Sequence, residues 1–220
     1  MINIAIDGPA GAGKSTIAKT VSGELDFIYV DTGALYRTIG LNALRQGKDT
    51  KAAEQVVSTL EGLDISRRFV NGEQRVFLGE EDVSEAIRQN EVSMAASNVS
   101  AVPAVREFLF ELQRDIARKN NCIMDGRDIG TVVLPDADIK IYLTASAEAR
   151  ADRRYKELCE KGQQVEYDKL LSEIKERDYQ DMNREIAPLK KAEDAILVDT
   201  TELDLQESIE YMVRVIKERL

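Results

Sequence analysis

The run Gly8-Pro9-Ala10-Gly11-Ala12-Gly13-Lys14-Ser15 follows an apolar stretch at 2–6 and precedes a helix-like stretch at 16–25. The G-x-x-x-x-G-K-S spacing gives each residue type a mechanical task. Glycines let the main chain curl so that successive N–H groups face one point, where an anion is favoured. A helix starting there adds its unpaired N–H groups and the positive end of its dipole. Lys14 would reach the β and γ phosphates of a nucleoside triphosphate, and the Ser15 hydroxyl would sit on a magnesium ion. Gly8 through Ser15, with Thr16 at the helix start, are the candidate triphosphate-binding positions.

Two further runs follow strand-like stretches. Asp31-Thr32-Gly33-Ala34-Leu35-Tyr36-Arg37 leaves the second, where loops at the carboxyl ends of parallel strands line a ligand crevice. Thr32 can donate to a phosphate or ribose, and Arg37 can clamp a phosphate with two N–H groups. The plainer alternative is that Asp31 or Thr32 caps the helix and Arg37 is solvated. Met124-Asp125-Gly126-Arg127-Asp128-Ile129-Gly130-Thr131 leaves the third. A charge ending a buried strand is costly unless paired or bound. Asp125 would face the phosphate loop from the adjacent strand as a magnesium or water-positioning carboxylate. Arg127 and Asp128 would meet a second substrate, or else form an Arg–Asp pair that holds a loop. Arg177, Asp181 and Arg184 stand at i, i+4 and i+7, so a helix puts all three on one face. Arg150, Arg153 and Arg154 crowd in the same way, although exposed helices carry such charges routinely.

The elements that must position these groups are short apolar runs at 2–6, 27–30, 122–124, 139–143 and 195–198, separated by helical patterns. Runs of this length read as strands buried on both faces of a parallel sheet of five. Helical patterns occupy 16–25, 34–45, 92–99, 104–119, 147–161, 167–184 and 205–219, with Ser146 and Thr201 as helix starts. The stretch 63–83 breaks the rhythm: two β-rich runs flank Asn71-Gly72-Glu73, a hairpin signal. The stretch 150–188 is nearly all charged helix and reads as a mobile cover.

A chain of 220 residues is long enough for one α/β domain with insertions. Its 30 basic and 40 acidic residues give a formal charge of −10, which argues against a general binder of nucleic acid or anionic membrane. Two cysteines and no histidine leave no zinc-type cluster and no histidine base. Cys122 and Cys159 read as thiols in a reducing compartment. With no run of membrane-spanning length and no secretion signal at the start, the expectation is a cytoplasmic protein. Phosphoryl transfer suits this inventory, because it asks for alignment and charge stabilisation more than covalent chemistry.

Taken together, the runs at 8–15, 31–37 and 125–131, with Lys175-Glu176-Arg177-Asp178, Asp181, Asn183-Arg184 and Ala187-Pro188-Leu189, resemble the bacterial cytidylate kinases. The resemblance covers the chain from first strand to last helix. It implies a single P-loop kinase domain over 1–220, α/β and three-layered, around a five-stranded parallel sheet. A small β-rich monophosphate-binding insertion at about 62–91 and a helical lid at about 151–187 complete the implied fold. It implies transfer of the ATP γ-phosphate to CMP or dCMP with Mg2+, by a cytoplasmic monomer with no nucleic-acid or membrane partner.

Carried over by position, the resemblance places Ser97, Arg106 and Asp128 on the cytosine and Arg37, Arg127 and Arg184 on the acceptor phosphate. Arg177 and Asp181 fall on the sugar or its phosphate, and Thr32 and Tyr36 complete the CMP set. Thr32 stands where relatives have serine. Lys14, Asp125, Arg127, Arg177 and Arg184 form the catalytic set, Arg153 joins the ATP positions, and Ser15 and Asp125 hold Mg2+. Asp128 has an independent argument: cytosine offers an N4 amino donor that a carboxylate accepts, where uracil offers a carbonyl. The residues themselves leave open a kinase of the same fold with another acceptor, such as UMP, AMP or a small carboxylated alcohol. They also leave open a nucleotide sensor that transfers nothing. A GTP switch is disfavoured by the lack of an Asn-Lys-x-Asp run.

Overall fold

A computed structural model describes residues 1–70 and 73–220. The elements run β1 (Asn3–Asp7), α1 (Lys14–Leu25), β2 (Ile28–Asp31), α2 (Thr32–Arg45), α3 (Ala53–Val57), β3 (Ile65–Val70), β4 (Glu73–Leu78) and β5 (Glu81–Asp82). They continue with α4 (Asn90–Ser100), α5 (Pro103–Lys119), β6 (Cys122–Gly126), β7 (Ile139–Thr144), α6 (Ala147–Glu160), α7 (Tyr167–Asn183), β8 (Ile196–Asp199) and α8 (Leu205–Lys217). The chain forms two compact units, one of Met1–Val30 with Ile116–Leu220 and one of Asp31–Asp115.

The first unit is built on a five-stranded sheet in the order β2-β6-β1-β7-β8. Every strand expected from the apolar runs is present, shifted by a residue or two. β1 lies parallel to β6 and β7, and β7 parallel to β8. Ile4, Ile6, Ile123 and Ile141 are fully or almost fully buried, and α1 and α8 pack on them through Ile17, Val21, Met212 and Ile216. This burial explains why the strands read as unbroken apolar runs. In a parallel sheet all strands point the same way, so β1 and β6 end side by side, with Ile6 opposite Asp125 and Asp7 opposite Gly126. That register delivers the phosphate loop and the Asp125 run to one edge.

Two helix starts bear on the sequence reading. Ser146 caps α6 by accepting the Ala149 N–H. Asp204, not Thr201, starts α8: it accepts the Glu207 N–H while the Glu207 carboxylate accepts the Asp204 N–H. A capping box satisfies two orphan donors where a lone Thr satisfies one.

In the second unit, α2, α4 and α5 share a core of Leu35, Ile39, Val99, Val105 and Leu109. The hairpin expected at 63–83 is there, with β3 antiparallel to β4 and Ile65 opposite Leu78; its Asn71-Gly72 turn lies outside the described residues. A two-residue strand, β5, adds a third partner through Phe77 opposite Asp82. Among the described residues, no helix is long and apolar enough to cross a membrane.

Candidate active site

The loop after β1 can be followed atom by atom. Gly8 has φ +152°, and a Cβ there would stand 1.9 Å from the Leu143 carbonyl oxygen, so only glycine passes between β1 and β7. Gly13, at φ 86° and ψ 4°, is the left-handed residue that opens α1. Lys14 is 5% exposed, and its Nζ donates to the Pro9 carbonyl at 2.7 Å. The lysine thus folds back over its own loop, where a phosphate would compete for the same donor. Burial presses the Lys14 ammonium well below the usual lysine range, Arg127 adds to this, and Asp125, Asp7 and Asp181 oppose it.

Asp125 meets this loop from β6. Its Oδ2 accepts the Ser15 hydroxyl at 2.9 Å and its Oδ1 accepts the Tyr29 hydroxyl at 2.9 Å. Ser15 and Asp125 form an all-oxygen pair at the helix start, the donor type that suits Mg2+. Among the described residues no group of three or more His, Cys, Asp or Glu could hold a metal alone. Mg2+ is commonly held through one or two carboxylates, so the Ser15–Asp125 pair would fit such an ion.

Asp7, the last residue of β1, was not singled out in the sequence. It is 5% exposed and accepts the Ile129 and Gly130 N–H groups, each at 2.7 Å. These two amides open a single π-helical turn, Ile129–Val133, that immediately follows Asp128. Burial lifts the Asp7 carboxyl from 3.8 to about 6, against the pull of its two N–H donors. Like Asp125 it is a charge ending a buried strand, which needs partners, so the signal for it is present in the sequence.

Arg127 and Asp128 do not pair with each other; Arg127 reaches α7, and Asp128 is met from the turn just beyond it. Arg127 Nε donates to Asp181 Oδ2 at 2.8 Å, and Arg184 Nη2 donates to Asp128 Oδ1 at 3.2 Å. The three-residue helical face needs correction at its end. α7 stops at Asn183, and Arg184 is already extended at φ −64° and ψ 143°. It reaches Asp128 from the turn beyond the helix, braced by a 2.8 Å bond from its Nε to the Ala187 carbonyl. Burial works against the Asp181 carboxylate, yet Arg127, Arg177 and Arg184 together hold it below the ordinary range.

Arg153 donates through Nη2 to the Thr200 and Leu203 carbonyls after β8. Arg150 is 4% exposed and pairs with Asp178 of α7, so of the crowded arginines of α6 Arg150 is not solvated, whereas Arg154 keeps an ordinary surface pair with Glu157 on its own helix.

Within the second unit, Asp31 proves to be the cap of α2, accepting the Ala34 N–H at 2.9 Å. Thr32 is 3% exposed, and Arg37 stands 4.0 Å from Asp31 Oδ2. The Arg106 guanidinium lies 5.9 Å from the centre of the Tyr36 ring, a cation–π distance. Its Nη1 is 3.5 Å from the Ser100 carbonyl. Ser97 sits half-buried on α4.

Comparison with known proteins adds a family context. A sequence model described as cytidylate kinase matches residues 4–218. The chain is 54% identical to a cytidylate kinase of Caldicellulosiruptor saccharolyticus over 96% of its own length and 94% of that protein. It is 49% identical to one of Streptococcus mutans, with the same shares covered. Among solved structures, a shikimate kinase from Bacteroides thetaiotaomicron is similar in fold. It has a TM-score of 0.50 at 15% identity, over 99% of this chain and 97% of that one.

Proposed function

The chain belongs to the cytidylate kinase family, and from that membership we propose how its own residues carry the ATP γ-phosphate to CMP or dCMP. The reading rests on one observation: Ser15, next to Lys14 in the phosphate loop, donates to Asp125, and Arg127, two residues further along the same strand end, donates to Asp181 of α7. The donor-holding loop and a candidate acceptor-holding arginine therefore meet at one strand end, as transfer between two bound nucleotides requires.

In this reading Lys14 and the backbone N–H groups of 8–16, Pro9 excepted, hold the triphosphate, and Arg153 is a further ATP contact. Ser15 and Asp125 would hold Mg2+, which would supply neutralisation of the phosphate charge. Arg37, Arg127 and Arg184 grip the CMP phosphate, with Thr32 and Tyr36 beside it, and Arg177 and Asp181 hold sugar and phosphate. Ser97, Arg106 and Asp128 read the cytosine. With the nucleophilic phosphate oxygen, the transferring phosphorus and the leaving oxygen in line, Lys14, Arg127, Arg177 and Arg184 stabilise the equatorial charge. The segment at about 62–91 serves as monophosphate-binding insertion and that at about 151–187 as lid, within one kinase domain over 1–220. The protein works as a cytoplasmic monomer.

The test is Asp128→Ala assayed with CMP and UMP. A site built to bond a substrate N–H rejects an analogue lacking it by ~10⁴ or more, so the kcat/KM ratio of the two acceptors should collapse by at least ~10²-fold. An unchanged ratio removes Asp128 from base recognition.

A further inference from the structure

Arg150 lies outside every role assigned above, yet it is among the most heavily bonded side chains of the first unit. Its Nε donates to the Ala145 carbonyl at 2.9 Å, at the end of β7. Its Nη1 donates to the Ala10 carbonyl in the phosphate loop at 2.9 Å and to Asp178 Oδ1 at 3.0 Å, and Nη2 donates to Asp178 Oδ2. Its aliphatic stem passes beneath Gly11, so that a Cβ at Gly11 would stand 3.6 Å from Arg150 Cβ and 4.0 Å from Cγ and Cδ. One planar fork thus joins the sheet edge, the phosphate loop and α7. Lysine has no equivalent geometry, because a single ammonium cannot make a two-pronged carboxylate contact and also reach carbonyls on two sides.

Two consequences follow from geometry. The carbonyl and N–H of a trans peptide point in opposite directions, so holding the Ala10 carbonyl towards Arg150 turns the Gly11 N–H the other way. Asp178 adjoins Arg177 and stands one helical turn before Asp181, so anchoring Asp178 fixes the part of α7 that presents both. We propose that Arg150 is a positioning residue that registers the phosphate loop on α7, setting the Gly11 amide for the triphosphate and α7's charged face for the transfer in one contact. The proposal rests on the reading of α7 as carrier of transfer residues.

The experiment compares Arg150→Lys, Asp178→Asn and the double variant in steady-state kinetics with ATP and CMP, alongside thermal melts. Arg177→Ala serves as the control on the reading of α7. Each single variant should lose about 10- to 100-fold in kcat, the upper figure being what a misplacement of about 1 Å can cost, with both KM values within about threefold of wild type. Because the two residues form one contact, the double variant should lose less than the product of the single losses. A lowered melting temperature with kcat intact would make Arg150 merely structural, and an effect confined to the KM for ATP would make it a direct nucleotide ligand. Either result overturns the proposal. Normal turnover in Arg177→Ala would instead overturn the reading of α7, whatever the Arg150 variants do.

Discussion

Replacing Asp7 with Asn tests how β1 holds the loop that follows Asp128. The carboxyl titrates at 3.8 in its ordinary state and at about 6 in the fold, with burial the leading cause. Between those values the folded chain binds the proton that the unfolded chain has already released, so stability from this group falls as pH rises. The gap is about two pH units, and at ~1.4 kcal/mol per unit the ionised carboxylate costs ~3 kcal/mol at pH 7 relative to pH 4. Asn carries no such proton. Its lone acceptor oxygen leaves the Ile129 or Gly130 N–H without its present partner, a loss of ~1–3 kcal/mol that does not vary with pH. Urea denaturation of both proteins from pH 4 to pH 8 isolates the titration, because the fixed loss cancels on comparing pH values. The difference in stability should move by ~3 kcal/mol in favour of the variant between pH 4 and pH 7. The variant should also turn over CMP poorly, since the turn after Asp128 loses a tether. A stability difference that stays flat with pH would refute the claim that burial governs this carboxylate.

Three further outcomes follow from the same geometry. Lys14→Ala should lower kcat/KM for ATP by ~10²-fold or more, the ~3 kcal/mol typical of one preorganised donor at a transition state; near-normal turnover would remove Lys14 from the chemistry. Asp181→Asn should cost ~3–5 kcal/mol at pH 7 in denaturant melts, as breaking a buried ion pair does, because the Arg127 side chain is only 20% exposed and its partner Asp181 only 7%. The folded Asp181 carboxyl titrates below its ordinary value, so the pair's stabilisation is complete above that ordinary value and fades as pH falls through the lower one. The Asn variant and wild type should therefore converge in strong acid. Gly8→Ala should unfold the chain or depress its melting temperature steeply, since the added carbon would stand 1.9 Å from the Leu143 carbonyl; a wild-type melt would contradict the close approach of β1 and β7.

The linear chain determined those features that depend on local periodicity and on the chemistry of contiguous residues. Five strands were legible because each is an apolar run short enough for one pass through a sheet, although the outer strands β2 and β8 are only partly buried. The phosphate loop was legible because its glycines, lysine and serine are neighbours whose spacing is itself the mechanism. The pairing of Ser15 with Asp125 was foreseeable in kind, since a carboxylate ending the strand beside β1 must face that loop. Tertiary structure alone decided the partners of charges far apart in sequence. Arg127 with Asp181 and Arg150 with Asp178 bridge 54 and 28 residues. A single arginine in a charged helix looks the same in sequence whether it is solvated or buried. It also decided that α7 ends before Arg184 while Arg184 still reaches Asp128, because a helix face is set by where hydrogen bonding stops. Burial fixes the cost of a charge, and burial is a property of the packed fold, so Asp7 as anchor and Arg150 as cross-brace emerge only once the strands have closed around them.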